Sequence, residues 1–119
     1  MNDFNWSDFH RFAEYLNTEC SFDGHEAVQR TIISRAYYSA FCMAKEALEY
    51  KYKITFPQNA ASHKYVRIEY EKRGLNHICD PLSRLRKYRN CCDYDKNVRN
   101  LHELVYQSLK LSEEIIKNL

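Results

Sequence analysis

The sequence has little of the two residues that most often interrupt regular structure: its 119 residues include two glycines and two prolines. This scarcity excludes a collagen-like repeat and argues against a turn-rich β-sandwich or a flexible low-complexity chain. A long hydrophobic run is also absent, since no stretch approaches the roughly 18 apolar residues of a membrane span. With 45% hydrophobic and 29% charged residues, the composition favours a compact helical protein, and we expect no association with a membrane.

The chain also lacks the pattern of a secreted, disulfide-bonded protein. Its five cysteines are an odd number without paired spacing, and the first 20 residues show no apolar signal-peptide core. We therefore expect a reduced, cytoplasmic protein whose cysteines behave mostly as small hydrophobic residues. Cys79, Cys91 and Cys92 lack the spacing of zinc ligands, so we predict no metal and no cofactor.

Positive charge is concentrated in one part of the chain although the formal net charge is only +2. Between Arg84 and Arg99, six lysine and arginine residues stand against two aspartates, a local excess of four positive charges. Such an excess suits an anionic partner such as RNA, but a solvated helix face carries similar charge.

Hydrophobic spacing predicts four substantial helices and one short one in a single domain that spans residues 1–119. The predicted helices are Trp6–Glu19, His25 to Tyr50 or Tyr52, His63–Lys72, a helix that begins at Asp80–Pro81 and contains Leu82–Asp95, and a last helix from Asn97 or Val98 to Lys117. Proline is favoured in the first turn of a helix, which sets the start of the fourth. The short connectors favour an all-α fold, an antiparallel four- to five-helix bundle.

Local signals place several helix ends. Asp23 and Glu26 have the spacing of a capping box, which predicts the start of the second helix. Asn59 or Ser62 is suited to cap the short third helix, because both side chains accept hydrogen bonds from backbone N–H groups. Gly74 is expected to end that helix, since glycine adopts the left-handed conformation without steric cost.

If the stretch Leu82–Asp95 is helical, its apolar and its polar side chains lie on different faces of the helix. Three apolar residues recur at helical spacing and are predicted to enter the core: Leu82, Leu85 and Cys92. A second face carries two arginines, a carboxamide and a carboxylate: Arg86, Arg89, Asn90 and Asp93. Guanidinium groups bind phosphate through paired hydrogen bonds, so Arg86, Arg89 and Asn90 are the predicted RNA-binding residues. The alternative is a structural i,i+4 ion pair between Arg89 and Asp93.

Two sequence blocks carry a resemblance to a known family. They are S-R-A-Y-Y-S-A-F-C-M-A-K-E-A-L at Ser34–Leu48 and L-R-K-Y-R-N-C-C-D-Y-D at Leu85–Asp95. With the intervening Ser62-His63-Lys64-x-Val66, they resemble the HEPN family, most closely its small stand-alone members whose second block ends R-N-x-x-D-Y. The resemblance covers nearly the whole chain and implies an HEPN-like all-α bundle that pairs into a symmetric homodimer.

The resemblance also implies a chemistry. HEPN ribonucleases place an arginine, followed some four to six residues later by a histidine, at the dimer cleft and cut RNA without a metal. Arg89 and the following Asn90 match this pattern, but Tyr94, preceded by Asp93, stands at the histidine position. The catalytic candidates are therefore Arg89, Asp93 and Tyr94. Arg35, on the second predicted helix, is expected to support them by contacting Asp93 or Tyr94.

Two functions follow from these observations. The first is a dimeric HEPN-like protein that engages RNA as a ribonuclease-type toxin or defence component with a degenerate catalytic motif. Many small HEPN proteins are encoded beside a minimal nucleotidyltransferase that acts as antitoxin. The second, favoured by Tyr94 in place of histidine, is a non-catalytic helical module that binds a partner protein such as that nucleotidyltransferase.

Overall fold

The computed structural model describes residues 3–119. This part of the chain contains five α-helices joined by short connecting segments and no β-strand. The helices are α1 (Ser7–Glu19), α2 (His25–Tyr52), α3 (Ala61–Lys72), α4 (Asn76–Tyr94) and α5 (Leu101–Lys117). The predicted all-α bundle is therefore confirmed. Among these five helices, none is both long enough and apolar enough to cross a membrane.

The central element is α2, which packs against each of the other four helices. Small residues recur along it at helical spacing and are fully buried: Ala36, Ala40 and Ala44. Their short side chains allow neighbouring helices to approach closely. Around them lie two hydrophobic clusters, one shared with α3, α4 and α5 and the other with α1, α4 and α5. A single helix thus connects both halves of the core.

Two of the signals predicted for the ends of α3 are present, although the helix begins at Ala61 rather than at the predicted His63. The Asn59 side chain accepts a hydrogen bond of 2.9 Å from the Ala61 backbone N–H at the start of α3. At the other end, Gly74 has a φ of 70°, in the left-handed region. Its N–H and that of Leu75 donate to the carbonyls of Glu71 and Tyr70, which closes α3 in a Schellman motif.

The predicted capping box at the start of α2 is wrong. The helix does begin at His25, as predicted, but its N-cap residue is Gly24 and no side chain caps it. The Glu26 carboxylate instead accepts a hydrogen bond of 3.1 Å from Arg30, one turn further along the helix. The same guanidinium donates to the backbone carbonyls of Cys92 and Asp95, at 2.8 and 2.6 Å. Arg30 therefore stabilises the end of α4, whose last carbonyls have no partner within the helix.

The fourth helix begins four residues before the predicted Asp80–Pro81 start, at Asn76. Pro81 lies inside α4, where it removes one backbone hydrogen bond and is normally unfavourable. Ile78 and Cys79 lie in the preceding turn and are buried in the core. Their burial favours helix ahead of the proline, and this outweighs the local start signal.

The last helix begins at Leu101, later than the predicted Asn97 or Val98. Asn100, the residue before it, has a φ of 56°. This left-handed conformation is one that asparagine tolerates better than most residues, and it interrupts any helix that started earlier. The connection from α4 to α5 is therefore a short irregular segment rather than an extension of either helix.

Candidate nucleic-acid interface

The fourth helix presents its polar face to a surface cleft because its apolar face is anchored in the core. Leu82, Leu85 and Cys92 are all buried, as their spacing predicted. This fixes the rotation of α4 and directs Arg86, Arg89 and Asn90 to the opposite side, where all three line the cleft. The predicted separation of faces is confirmed.

We call this feature the arginine cleft; its volume is about 950 Å³. It is lined by residues of α2, α3 and α4 together with the segments next to α3 and α4: Tyr38, Ala60, His63, Arg67, Ser83, Arg86, Lys87, Arg89, Asn90, Cys91, Tyr94 and Asp95. Four of these side chains are cationic and one is a carboxylate. A concave surface with such a charge balance attracts anions.

Arg89 is the most constrained of the cleft arginines. Its side chain is 15% exposed, and its Nη2 donates a hydrogen bond of 2.7 Å to the Tyr38 hydroxyl. Nη1 donates to Oδ1 of Asn90 at 3.1 Å, and Nε lies 2.7 Å from Oδ2 of Asp93. The guanidinium is thus held from three sides. The predicted ion pair with Asp93 forms, while Arg89 still lines the cleft.

Two guanidinium nitrogens at the cleft have unused hydrogen-bonding capacity. The Nε atoms of Arg86 and Arg89 are buried and donate no hydrogen bond to any group within residues 3–119. The Nε of Arg89 nevertheless has the Asp93 carboxylate 2.7 Å away as its ion-pair partner. Buried donors without acceptors are costly unless a ligand satisfies them.

Arg35 does not support the site in the predicted way. Its Nη2 donates to the Ser34 hydroxyl at 3.2 Å, and it forms no ion pair with a carboxylate of residues 3–119. Instead, its Cζ lies 4.9 Å from the centre of the Tyr38 ring, and the Cζ of Arg89 lies 5.0 Å from the same ring. Arg35 and Arg89 therefore each make a cation–π contact with the same tyrosine ring.

Asp93 and Tyr94, the two remaining catalytic candidates, occupy different settings. Asp93 is engaged with Arg89, as described above. Tyr94 is the last residue of α4 and is 74% exposed at the rim of the cleft, with its ring centre 5.7 Å from the Cζ of Arg89. The structure brings all the residues of the R-N-x-x-D-Y motif to one end of α4, with only Arg89 tightly held.

His63 lines the cleft, although its place in the Ser62-His63-Lys64-x-Val66 block predicted a helix-start or interface residue and not a ligand-binding one. Its Nδ1 shares a short hydrogen bond with the Tyr37 hydroxyl, and its ring stacks on Phe41 with centroids 4.1 Å apart. The spacing of Ser62 and His63 was consistent with a helix start, and nothing local indicated a partner. The partner lies 26 residues away on α2, so only the tertiary fold reveals the site.

The protonation of His63 and Tyr37 is set by burial and by the arginines. Desolvation, together with repulsion from Arg86, Arg89, Arg67 and Lys45, lowers the pKa of His63 to about 4. Desolvation raises the pKa of Tyr37, against the opposing effect of the same arginines. Near neutral pH, the pair is therefore an uncharged imidazole beside an intact hydroxyl.

Comparison with known proteins yields one clear relative. The chain is 31% identical to the uncharacterized protein MJ0628 of Methanocaldococcus jannaschii, over an alignment that covers 97% of this chain and 80% of the archaeal protein. The chain belongs to the MJ0628 family. Its archaeal relative carries no assigned activity in its name, so family membership leaves the function to be inferred from the site. No protein-family model and no solved structure matches the chain.

Proposed function

We propose that this MJ0628-family protein is HEPN-like and binds RNA in the arginine cleft. The observation that carries the proposal is the convergence of Arg67, Arg86, Lys87 and Arg89 on one concavity in which Asp95 is the single lining carboxylate. Phosphate contacts supply most of the affinity of proteins for nucleic acid, and arginine makes the strongest of them. The R-N-x-x-D-Y block and the confirmed helical bundle agree with this proposal.

The geometry also suits the chemistry of a ribonuclease. Cleavage of RNA without a metal develops negative charge on the phosphorus-bound oxygens, and preorganised donors stabilise that charge. Arg89 is preorganised by its contacts to Tyr38 and Asp93, and Arg86 lines the same cleft. We therefore propose a ribonuclease-type toxin or defence component, with Arg89 as the residue that stabilises the reacting phosphate.

The active form in this proposal is a homodimer. In the HEPN arrangement, two copies of the motif arginine face a shared cleft. Tyr94 stands at the rim of the arginine cleft with most of its surface exposed, and a second copy is proposed to cover it. Size-exclusion chromatography with light scattering measures the mass of the protein in solution. A mass of about two chains is expected, and a monomer at micromolar concentration contradicts the dimer.

Binding of a fluorescent single-stranded RNA, followed by anisotropy, tests the proposed function. Arg89→Gln is expected to weaken binding by roughly tenfold or more, which corresponds to about 1.4 kcal/mol. Arg84→Gln is the matched control, because Arg84 lies on the same helix, is exposed, and does not line the cleft. Equal affinity of both variants and the wild type, or no binding by the wild type, contradicts the proposal.

A second candidate function is docking of a partner protein such as a minimal nucleotidyltransferase. It is favoured by exposed aromatic side chains, of which Tyr50 at 80% and Tyr94 at 74% are the most prominent. Aromatic residues are enriched at protein interfaces. In this case Tyr94→Ala abolishes capture of a nucleotidyltransferase encoded beside this chain, whereas Arg89→Gln spares it. The reverse pattern of effects excludes this candidate.

A further inference from the structure

His63 is the one histidine among the residues that line the arginine cleft. It lines the same cleft as Arg86 and Arg89, and its ring is 6.2 Å from that of Tyr38, which accepts the hydrogen bond from Arg89. The end of α4 has no histidine at the motif position, since Tyr94 stands there, with four residues between it and Arg89. The fold supplies a histidine to the same cleft from α3 instead.

The imidazole of His63 is held in place from several sides. Phe41 stacks on one face at an interplanar angle of 17°, and the Tyr37 hydroxyl holds Nδ1. Nε2 forms no hydrogen bond with any group of residues 3–119 and is the ring nitrogen left for a ligand. The charged groups around the ring come from three helices: Lys45 on α2, Arg67 on α3, and Arg86 and Arg89 on α4.

We propose that His63 is the general base that removes the 2′-hydroxyl proton of an RNA held in the arginine cleft, with Tyr37 as its positioning residue. This inference rests on the proposed function and extends it to a residue outside the arginine motif. A base at Nε2 requires the imidazole proton to sit on Nδ1, where it donates to the Tyr37 hydroxyl oxygen.

The reaction balances without a metal or a redox partner. Nε2 of His63 accepts the proton of the 2′-hydroxyl, and the 2′-oxygen forms a bond to the neighbouring phosphorus. The bond from phosphorus to the 5′-oxygen breaks, and that oxygen takes a proton from water. The products are a 2′,3′-cyclic phosphate and a free 5′-hydroxyl, and His63 returns its proton to the solvent.

The charges around His63 link its basicity to occupancy of the cleft. In the unoccupied protein, burial and four cations keep the imidazole neutral near pH 7, so the base form is present before RNA binds. A phosphate opposite Arg86 and Arg89 cancels part of their repulsion and raises the affinity of His63 for a proton. The base therefore becomes stronger when the substrate is in place.

The test separates cleavage from binding. Binding is measured with a fully 2′-O-methylated RNA, which lacks the attacking hydroxyl, and cleavage with the unmodified RNA of the same sequence. His63→Gln is expected to lower the cleavage rate by about 100-fold or more while binding changes by less than about threefold. His102→Gln is the matched control, since His102 is an exposed residue of α5 outside the cleft.

Each outcome decides the inference. Cleavage by His63→Gln at the wild-type rate, or products without a cyclic phosphate, overturns it. Binding of the methylated RNA without any cleavage by the wild type also overturns it but leaves RNA binding intact. Absence of binding overturns the proposed function and this inference together.

Two further readouts remain informative if His63→Gln fails to fold. Tyr37→Phe removes the oxygen that orients the imidazole, and it is expected to lower the cleavage rate and alter its pH profile. An unchanged pH profile contradicts the role of Tyr37. In the wild type, the methylated RNA is expected to raise the pKa of His63, followed by its NMR signals, and an unchanged pKa overturns the inference.

Discussion

The Tyr38 hydroxyl accepts a hydrogen bond of 2.7 Å from the Arg89 guanidinium, and this contact joins α2 to α4 at the arginine cleft. The two residues are 51 positions apart in the sequence. The same tyrosine ring lies against Arg35, so two arginines of like charge are kept close by one aromatic group. The orientation of the principal RNA-binding candidate therefore depends on a residue of the central helix.

Tyr38→Phe tests this dependence. The substitution keeps the ring that both arginines contact but removes the acceptor of the hydrogen bond from Arg89. We expect the free energy of unfolding to fall by about 1 kcal/mol, and RNA affinity to fall less than it does in Arg89→Gln. Urea denaturation and anisotropy measure the two effects. Tyr65→Phe, at an exposed residue of α3, is the control, and equal behaviour of both variants would show that the contact is unimportant.

The position of Arg86 in the arginine cleft predicts how RNA affinity depends on salt concentration. Each phosphate contact to single-stranded nucleic acid contributes about 0.7 to the slope of log affinity against log salt concentration. Arg86→Gln removes one such contact, so the slope should decrease in magnitude by about 0.7. Arg84→Gln should leave it unchanged, because Arg84 does not line the cleft. A slope unaffected by Arg86→Gln would place the RNA elsewhere.

Helix periodicity predicted the fold well because most of the core follows from local spacing. The buried face of α2 and the apolar face of α4 both occur where their spacing indicates. The start of α4 was missed since it depends on burial of Ile78 and Cys79 against other helices, which outweighs the Asp80–Pro81 signal. Where long-range packing and a local cap disagree, packing decides.

The candidate site was predictable only in part. The arginine face of α4 could be recognised because its residues are neighbours in the sequence. Tyr38 and His63 come from other helices, and no spacing rule connects them to Arg89. Arg35 was predicted to contact Asp93 or Tyr94, but its guanidinium lies against the Tyr38 ring instead. Its role follows from the packing of α2 beside α4.

Substitution by alanine is expected to have different effects on the free energy of unfolding at two buried serines of α5. Ser108 and Ser112 are one turn apart, and both are fully buried. The Ser112 hydroxyl makes a hydrogen bond of 2.9 Å with Nδ1 of His10, whereas the Ser108 hydroxyl has no hydrogen-bond partner within residues 3–119. Ser112→Ala should therefore destabilise the protein by about 1–3 kcal/mol, since it leaves a buried ring nitrogen unsatisfied.

Ser108→Ala removes an unsatisfied buried hydroxyl and creates almost no cavity. We expect the free energy of unfolding to stay constant or to rise by up to about 1 kcal/mol. Thermal and urea denaturation of the two variants under identical conditions provide the comparison. A loss of stability in Ser108→Ala as large as that in Ser112→Ala would mean that Ser108 has a partner, such as an ordered water.

The lowered pKa of His63 predicts how stability depends on pH. The pKa of an unperturbed histidine is 6.5 and that of His63 in the folded protein is about 4, so the unfolded chain binds more protons between these values. The contribution of His63 to stability is therefore fully present above pH 6.5 and decreases as the pH falls towards 4. Urea denaturation between pH 4 and pH 6.5 measures this contribution.

The difference in unfolding free energy between the wild type and His63→Gln should shrink with falling pH, while the difference between the wild type and His102→Gln should not follow that trend. A difference that stays constant would show that His63 titrates normally and that the cations around it do not govern its protonation.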